Sequence, residues 1–166
     1  MVMGCSGSGK STLTQQLSQE LGIEAIHLDS HFSSPGWVQP EKDQWLKKQE
    51  ELLAKDQWIM DGNYTNTIEK RLEKADTFIY LDFSTWDCLW GICKRRFKYA
   101  GKTRPDMAPD CPERFEWTFL KYVLTYWKNR APMMREMLSK VKDKKVIILK
   151  NRDEVNSFLS SLKKDS

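Results

Sequence analysis

The chain has no long hydrophobic run. None of its apolar stretches approaches the ~20 residues that a membrane-spanning helix needs, and its start lacks the basic region and apolar run of a signal peptide. With 166 residues, 40% of them hydrophobic, it is too short for a helicase core or a multidomain ATPase. We therefore expect a single soluble, cytoplasmic domain over residues 1–166.

Cysteine pairs and charge of one sign are also scarce. The four cysteines show no C-x-x-C spacing, which favours free thiols in a reducing compartment. The 27 basic and 23 acidic residues give a net charge of +4, and the basic residues form no long run. Charge therefore gives little support to nucleic-acid binding.

The chain does contain a glycine-rich loop of a known kind. Residues 4–11, GCSGSGKS, fit the pattern G-x-x-x-x-G-K-[ST] at every fixed position. Glycine tolerates the backbone angles that turn several N–H groups toward one anion. LTQQLSQELG follows with leucines at helical spacing and Gly22 as a C-cap, whereas a flexible linker, the alternative interpretation, would lead into disorder. The loop therefore begins a helix, whose N-terminal dipole also favours an anion.

This loop predicts binding of ATP and Mg²⁺. We expect the backbone from Ser6 to Lys10 to surround the phosphates, Lys10 to reach the β- and γ-phosphates, and the Ser11 hydroxyl to bind Mg²⁺. The residues of the loop and of the helix start that we expect to bind the nucleotide are Gly4, Cys5, Ser6, Gly7, Ser8, Gly9, Lys10, Ser11 and Thr12.

Strand patterns alternate with helix patterns along the rest of the chain. A short strand precedes the loop, and further strands are expected at IEAIHLD, WIMDGNY, TFIYLD and KVIILK, with a helix after each. A loop is expected directly after Asp29, because SHFSSPGW contains a Pro-Gly pair. Alternation predicts a parallel sheet covered on both faces, with the site at the carboxyl ends of its strands. The loop, Asp29, Asp61 and Asn63 should therefore form one composite site.

Two carboxylates are candidates for a second magnesium ligand, which is commonly an aspartate at the end of a neighbouring strand. We favour Asp61, because Gly62 and Asn63 follow it and allow close approach to phosphates. Asp82 precedes Phe83 and a serine and is suited to capping the next helix. An ordinary turn aspartate remains the alternative for Asp61.

Asp29 indicates the type of acceptor. A carboxylate at the mouth of the site can take a proton from a hydroxyl group, whereas an anionic phosphate acceptor needs cations and no base. Asp29 therefore favours a hydroxyl acceptor. His31 would assist it, or would be a solvated loop histidine without a role.

Basic side chains gather around an irregular flap over residues 100–112. They are Lys94, Arg95, Arg96, Lys98, Lys102 and Arg104. Guanidinium groups on a closing lid stabilise a transferred phosphoryl group, and we favour Arg96 and Arg104 for that role. For the others, a solvated basic helix end is the alternative. We also expect Arg71 to face the acceptor and Arg130 to face the phosphates.

Aromatic residues are abundant. Phe115, Phe119, Tyr122 and Tyr126 fall at helical spacing and predict a core stripe. Trp37 differs because it lies in the loop after Asp29, where its ring would stack on a flat acceptor.

With these segments in order, the chain resembles the bacterial FlaR-related DNA topology modulation proteins, small relatives of adenylate and shikimate kinases. The resemblance rests on the glycine-rich loop, HLDSHFSSPGW, WIMDGNYTNTIEKRLEKADTFIYLD, KTRPD and CPERFEWTFL, and it covers nearly the whole chain. It implies a P-loop NTPase fold of the nucleoside monophosphate kinase type: three α/β/α layers, a five-stranded parallel sheet in order 2-3-1-4-5, an acceptor-binding region over residues 29–54 and a lid over residues 99–115.

The resemblance also implies residue roles. By analogy with the DGFP turn of nucleoside monophosphate kinases, Asp61 would serve Mg²⁺ and the acceptor. Arg95 or Arg96 would match the lid arginines, and the loop around Asn151 and Arg152 would approach the adenine.

The chain departs from the adenylate kinase pattern in two places. Tyr64 and Thr65 stand where an arginine is found soon after the DG turn, which argues against AMP as the acceptor; we assign Asn63 and Tyr64 to acceptor binding. The lid contains only one cysteine, Cys111, which excludes a zinc-braced lid.

The function expected from the sequence is transfer of the ATP γ-phosphate to a small-molecule acceptor, by a monomer or homodimer. A nucleotide-switched regulator associated with DNA is the first alternative, and an NTPase switch with water as acceptor is the second.

Overall fold

The computed structural model describes residues 1–32, 34, 36–111 and 117–163. These residues form a sheet of five strands, all parallel, in the order β2-β3-β1-β4-β5. The strands are β1 (Val2–Gly4), β2 (Ala25–His27), β3 (Ile59–Asp61), β4 (Thr77–Leu81) and β5 (Lys145–Leu149). The α/β class, the strand number and the strand order are those expected from the sequence.

Eight α-helices lie within the described residues. They are α1 (Lys10–Leu21), α2 (Leu28–Phe32), α3 (Lys42–Leu53), α4 (Ile68–Lys74), α5 (Thr85–Lys98), α6 (Trp117–Asn129), α7 (Ala131–Lys140) and α8 (Arg152–Leu162), with a 3₁₀ turn at Thr65–Thr67. Gly22 ends α1 in the left-handed conformation and its N–H bonds to Ser18. The expected C-cap is therefore confirmed.

Both faces of the sheet are covered, because successive strand side chains point to opposite faces. Val2 and Ile79 pack with the leucines of α1 and with α8 in one cluster. Met3 and Phe78 pack with α4 and α7 in another. A third cluster joins α3 to β2 and β3. The helices thus lie in two layers with the sheet between them.

The segment after β2 differs from its expected structure, whereas α6 agrees with it. The loop predicted directly after Asp29 is wrong, since β2 ends at His27 and residues 28–32 form the short helix α2, with Leu28 buried. The core stripe of α6 is confirmed for Tyr126, which is buried, and for Phe119 and Tyr122, which pack on the same cluster. Phe115 lies outside the described residues, as do residues 112–115 of the predicted lid and residues 33 and 35 of the predicted acceptor region.

Candidate functional site

The glycine-rich loop connects β1 to α1 and curls around its own backbone. Gly7 and Gly9 have positive φ angles of 85° and 94°, which L side chains rarely adopt. The N–H of Ser8 donates to the carbonyl of Cys5 at 3.2 Å, and the Lys10 amine donates to the same carbonyl at 3.1 Å. A charged amine, the start of a helix and a tightly turned backbone therefore lie together, an arrangement that favours an anion.

The thiol of Cys5 does not contribute charge to this loop. It is buried beside Cys88 of α5. The hydrogen bond with the Cys88 thiol, followed by burial, raises the pKa of Cys5 well above its ordinary value. The side chain is therefore a neutral packing group, and Cys5 serves the loop through its carbonyl.

The loop is packed directly against α5. A methyl group at Gly91 would overlap the carbonyl oxygen of Gly7, and a methyl group at Gly7 would overlap the carbonyl oxygen of Cys88. Only two glycines allow this approach of backbone to backbone. Gly91 thus helps to position the loop, although it lies far from it in sequence.

We expect Gly91→Ala to destabilise the protein and to disturb the loop. The new methyl group would meet backbone that cannot rotate away, and overpacking of this kind costs ~1–3 kcal/mol. The melting temperature should fall by roughly 3–10 °C, as measured by circular dichroism. Ser157→Ala, at an exposed position of α8, is the control and should change it little. Equal stability of the two variants would contradict the packing described.

Arg152 covers the loop from the opposite side. Its guanidinium occupies the space where a side chain at Gly9 would lie, and it stacks over the Phe83 ring with its central carbon 5.0 Å from the ring centroid. A second cation therefore stands beside Lys10, at the start of α8. The expectation that Arg152 approaches the nucleotide stays a prediction, and its position next to the loop is compatible with it.

Asp61 ends β3 and is bonded to a histidine. Its side chain is 3% exposed, and its Oδ2 lies 2.7 Å from Nδ1 of His27 at the end of β2. Burial lowers the pKa of His27, but the hydrogen bond and charge of Asp61, with the charges of Asp106 and Asp29, outweigh it and raise the pKa above its ordinary value. His27 therefore holds one carboxylate oxygen of Asp61 at a fixed position.

The turn after Asp61 is attached to β1 and α6. The amide of Asn63 donates to the carbonyl of Gly4 at 2.7 Å and to the hydroxyl of Tyr122 at 3.2 Å. Asn63 is thus hydrogen-bonded directly to the first residue of the glycine-rich loop, as expected for a composite site. The position of β3 beside β1 in the sheet explains this contact, because both strands end at the same edge.

Arg71 of α4 stabilises the turn by hydrogen bonds to its backbone. The side chain is fully buried, and it donates to the carbonyls of Gly62 at 2.8 Å and Tyr64 at 2.6 Å. The expectation that Arg71 faces an acceptor differs from what is found, since its guanidinium is engaged with backbone. Its position in the sequence, soon after the turn, correctly predicted that Arg71 lies near the turn. Because the side chain is buried and bonded to the turn's carbonyls, its role is to stabilise the turn.

Asp29 lies in the first turn of α2 and meets Tyr64. The Tyr64 hydroxyl donates to Oδ1 of Asp29 at 3.0 Å. Burial, followed by the charge and hydrogen bond of Asp29, raises the pKa of Tyr64 far above its ordinary value, so this hydroxyl remains a donor. The two predicted acceptor residues are therefore in contact, and Tyr64 orients the carboxylate.

The segment after α2 touches the predicted lid. The N–H of Gly36 donates to the carbonyl of Asp110 at 3.3 Å, and the Cys111 thiol lies 3.6 Å from the carbonyl of Ser34. Trp37 packs against the small cluster of Met107, Ala108 and Cys111. Its ring thus contacts the lid, and stacking on an acceptor stays a prediction.

The predicted cations fall into different environments. Arg104 pairs with Asp106 at 3.1 Å and is mostly buried within the lid. Arg95 lies over the Phe119 ring, with its central carbon 5.5 Å from the centroid, while Arg96 is exposed on α5. Arg130 precedes α7 and lines a small cavity of ≈ 50 Å³ together with Asn63 and Tyr122.

His31 lies on α2 with much of its surface exposed and its ring only partly covered. Burial, followed by the charges of Lys48 and Lys55, lowers its pKa. The other candidate carboxylate, Asp82, forms a two-pronged ion pair with Arg135 at 2.9 and 3.0 Å. Neither residue is bonded to the glycine-rich loop in the part of the chain that the structure describes.

A cavity of ≈ 320 Å³ lies at the opposite edge of the sheet. The starts of four strands line it, with Met1, Ile59, Thr77 and Lys145 among its walls. No residue of the predicted site lines it. The polar and charged groups that suit phosphate chemistry are instead at the carboxyl edge, and we therefore place the candidate site there.

Sequence reasoning missed three residues of this site. They are His27, Gly91 and Tyr122. His27 had a weak signal, since it ends the same apolar run that leads to Asp29. Gly91 and Tyr122 had none, because each gains its role only from a partner distant in the sequence.

The described residues contain neither a membrane-spanning helix nor a clustered set of metal ligands. No helix in them is long and apolar enough to cross a membrane, and within the same ranges no group of three or more histidine, cysteine, aspartate or glutamate side chains is arranged to hold a metal ion. Comparison with known proteins adds no family, since no protein-family model and no curated protein matches the chain.

Proposed function

We propose that this chain is a P-loop phosphotransferase of the nucleoside monophosphate kinase type, which moves the γ-phosphate of ATP to a small molecule. The observation that carries the proposal is the loop between β1 and α1, where left-handed Gly7 and Gly9 turn the backbone and the Lys10 amine is held at the carbonyl of Cys5. The sheet order, with the loop at its carboxyl edge, supports the same proposal.

The residues present fit ATP with Mg²⁺. The loop backbone and the start of α1 suit phosphate oxygens, and Lys10 and Arg152 supply positive charge on both sides of it. Ser11 and Asp61 would hold Mg²⁺, one at the start of α1 and the other at the end of β3. When bound, the metal would neutralise charge on the transferred phosphoryl group.

The acceptor would lie between Asp29 and the loop. Asp29 would accept the proton of the acceptor hydroxyl, which favours an alcohol over a phosphate as acceptor. Tyr64 would keep the carboxylate in place through the bond at 3.0 Å. Arg96 and Arg104 would stabilise the equatorial oxygens after the lid closes further, and the ion pair with Asp106 currently holds Arg104 within the lid.

Asp29→Asn should lower kcat by ~10²-fold or more, because the amide cannot take a proton. The fold should survive, since the amide oxygen still accepts from Tyr64. Steady-state kinetics would measure this, with whichever small molecule stimulates ATP consumption as the acceptor. The control is Asp56→Asn, because Asp56 lies at the opposite edge of the sheet. A rise in KM with kcat unchanged would make Asp29 a binding residue and not a base.

The proposal is tested by ATP consumption in the presence of Mg²⁺ and a panel of nucleosides, nucleoside monophosphates, sugars and shikimate-like acids. Strong stimulation by one small molecule would support the kinase and name its substrate class. Stimulation by double-stranded DNA alone would favour a DNA-associated regulator, whose binding should weaken steeply with salt. ATP turnover that no addition changes would favour an NTPase switch.

A further inference from the structure

Helix α5 carries a second apolar face that points away from the fold. Its buried residue is Cys88, and Trp86, Trp90, Cys93 and Phe97 follow one another at offsets of 0, 4, 7 and 11 on the opposite side. Trp86 is 80% exposed, Trp90 63% and Phe97 85%. We call these four residues the outer stripe.

The outer stripe is large enough to form much of an interface. Aromatic side chains of this kind bury ~150–250 Å² each, so covering the exposed parts of the three rings would remove roughly 450 Å² of surface per chain. A stable interface of standard size buries ~800 Å² per partner. The stripe alone therefore supplies about half of the area that a dimer needs, and its flanks can supply the rest.

The charges beside the outer stripe are self-complementary in one orientation. Asp87, Lys94 and Lys98 lie along one flank of the stripe, with the acid near the start of α5 and the lysines near its end. If a second copy packs with α5 antiparallel about the middle of the stripe, Asp87 of one copy falls between Lys94 and Lys98 of the other. Parallel packing would bring this flank of one copy against the other flank of its partner, so that Lys94 and Lys98 would lie beside Arg96 and repel it.

We propose that the chain forms a symmetric dimer through the outer stripes of two antiparallel α5 helices. In this register Trp86 of each copy meets Phe97 of the other, and Trp90 meets Cys93. Such an interface is isologous, as in most homodimers. A lipid surface would also accept exposed tryptophans near lysines, but an anionic surface would repel Asp87, which lies on the same flank as the two lysines. The evidence for the dimer does not rest on the proposed enzymatic activity.

The first test is the mass in solution, measured by sedimentation velocity at ~1–100 µM. The chain of 19.5 kDa should sediment as a dimer. Trp86→Glu combined with Phe97→Glu should weaken dimerisation by at least ~100-fold and leave the far-UV circular dichroism spectrum at 20 °C unchanged, because both side chains are exposed within one chain. Val38→Glu, which changes an apolar residue 60% exposed elsewhere, should leave the dimer intact.

The second test exchanges the flanking charges. Asp87→Lys alone, and Lys94→Glu with Lys98→Glu alone, should each yield monomers because like charges would then face each other. A mixture of the two variants should form a heterodimer, since every pair is again opposite in sign. If the two variants associate only when mixed, the charges must face each other across the interface, because residues with a purely structural role would not regain association in the mixture.

Cross-linking tests the register. Cys93 is the exposed cysteine of the four, and in the proposed packing two Cys93 residues lie only ~4.5 Å apart along the helix axis. A short bismaleimide should therefore link two copies through Cys93, and Cys93→Ser should abolish the product.

Three outcomes would overturn the proposal. One is a monomer at every concentration. Another is a dimer that survives Trp86→Glu with Phe97→Glu, which would place the interface elsewhere. The third is a monomer that cosediments with vesicles of phosphatidylcholine and phosphatidylglycerol through the outer stripe, which would make the face a membrane contact.

Discussion

Lys10→Ala should abolish consumption of ATP, with turnover lowered by ~10³-fold or more. The Lys10 amine is the one cation in the loop sequence, and it would stabilise the negative charge of the phosphoryl group during its transfer. Preorganised charges of this kind supply a large part of catalysis. In the structure it is already directed to the loop, at 3.1 Å from the carbonyl of Cys5. The loss should appear in kcat as well as in the affinity for ATP, measured by a coupled assay and by calorimetry.

The control for this experiment is Lys140→Ala. Lys140 is an exposed lysine paired with Glu136 on α7, so its loss should leave turnover unchanged and stability within ~1 kcal/mol. Lys10→Ala should also fold, because only one hydrogen bond is removed. Normal turnover by a folded Lys10→Ala protein would refute the proposed role of the glycine-rich loop.

Arg71→Met should cause the largest loss of stability. The guanidinium is buried and donates to the carbonyls of Gly62 and Tyr64, and each buried acceptor left unsatisfied costs ~1–3 kcal/mol. The melting temperature should fall by roughly 5–15 °C. Burial lowers the pKa of Arg71 to about 10 despite the opposing effects of Tyr64 and Asp61, so the group is still charged at neutral pH and its donors are all present.

Arg71→Lys distinguishes charge from geometry. Lysine keeps the charge but lacks the planar fork that serves two carbonyls at once, so we expect an intermediate melting temperature. Differential scanning calorimetry would rank the three proteins. If Arg71→Lys equals the wild type, the fork has no structural role, and if Arg71→Met is as stable as the wild type, the turn is held by other contacts.

The sequence predicted the elements well where pattern and local chemistry agree. Leucine spacing and Gly22 predicted α1 and its end, and the apolar runs predicted the strands. The strand order came from the resemblance, because spacing along a chain does not determine which strands are neighbours. The exception was the segment after β2. Its serines, proline and glycine suggested a loop, but residues 28–32 form a short helix in which Leu28 is buried.

The side-chain partners were less predictable. The groups at the strand ends could be placed at one edge, but which of them touch depends on register: His27 bonds to Asp61 because their strands pair there. The role of Arg71 changed for the same reason, since an arginine near a turn can face outward or support it, and only packing decides. The pair of Gly7 and Gly91 has no side chains, so no pattern of polarity marks it.

Gly7 and Gly91 join the glycine-rich loop to the inner side of α5, while the outer stripe occupies the other side of the same helix. A nucleotide in the loop and a second copy on the stripe would therefore act on one helix from opposite directions. Coupling between two binding equilibria is reciprocal. By whatever factor nucleotide changes the dissociation constant of the dimer, dimerisation changes the dissociation constant of the nucleotide. If this factor differs from one, the apparent affinity for a nucleotide would depend on the protein concentration at which it is measured.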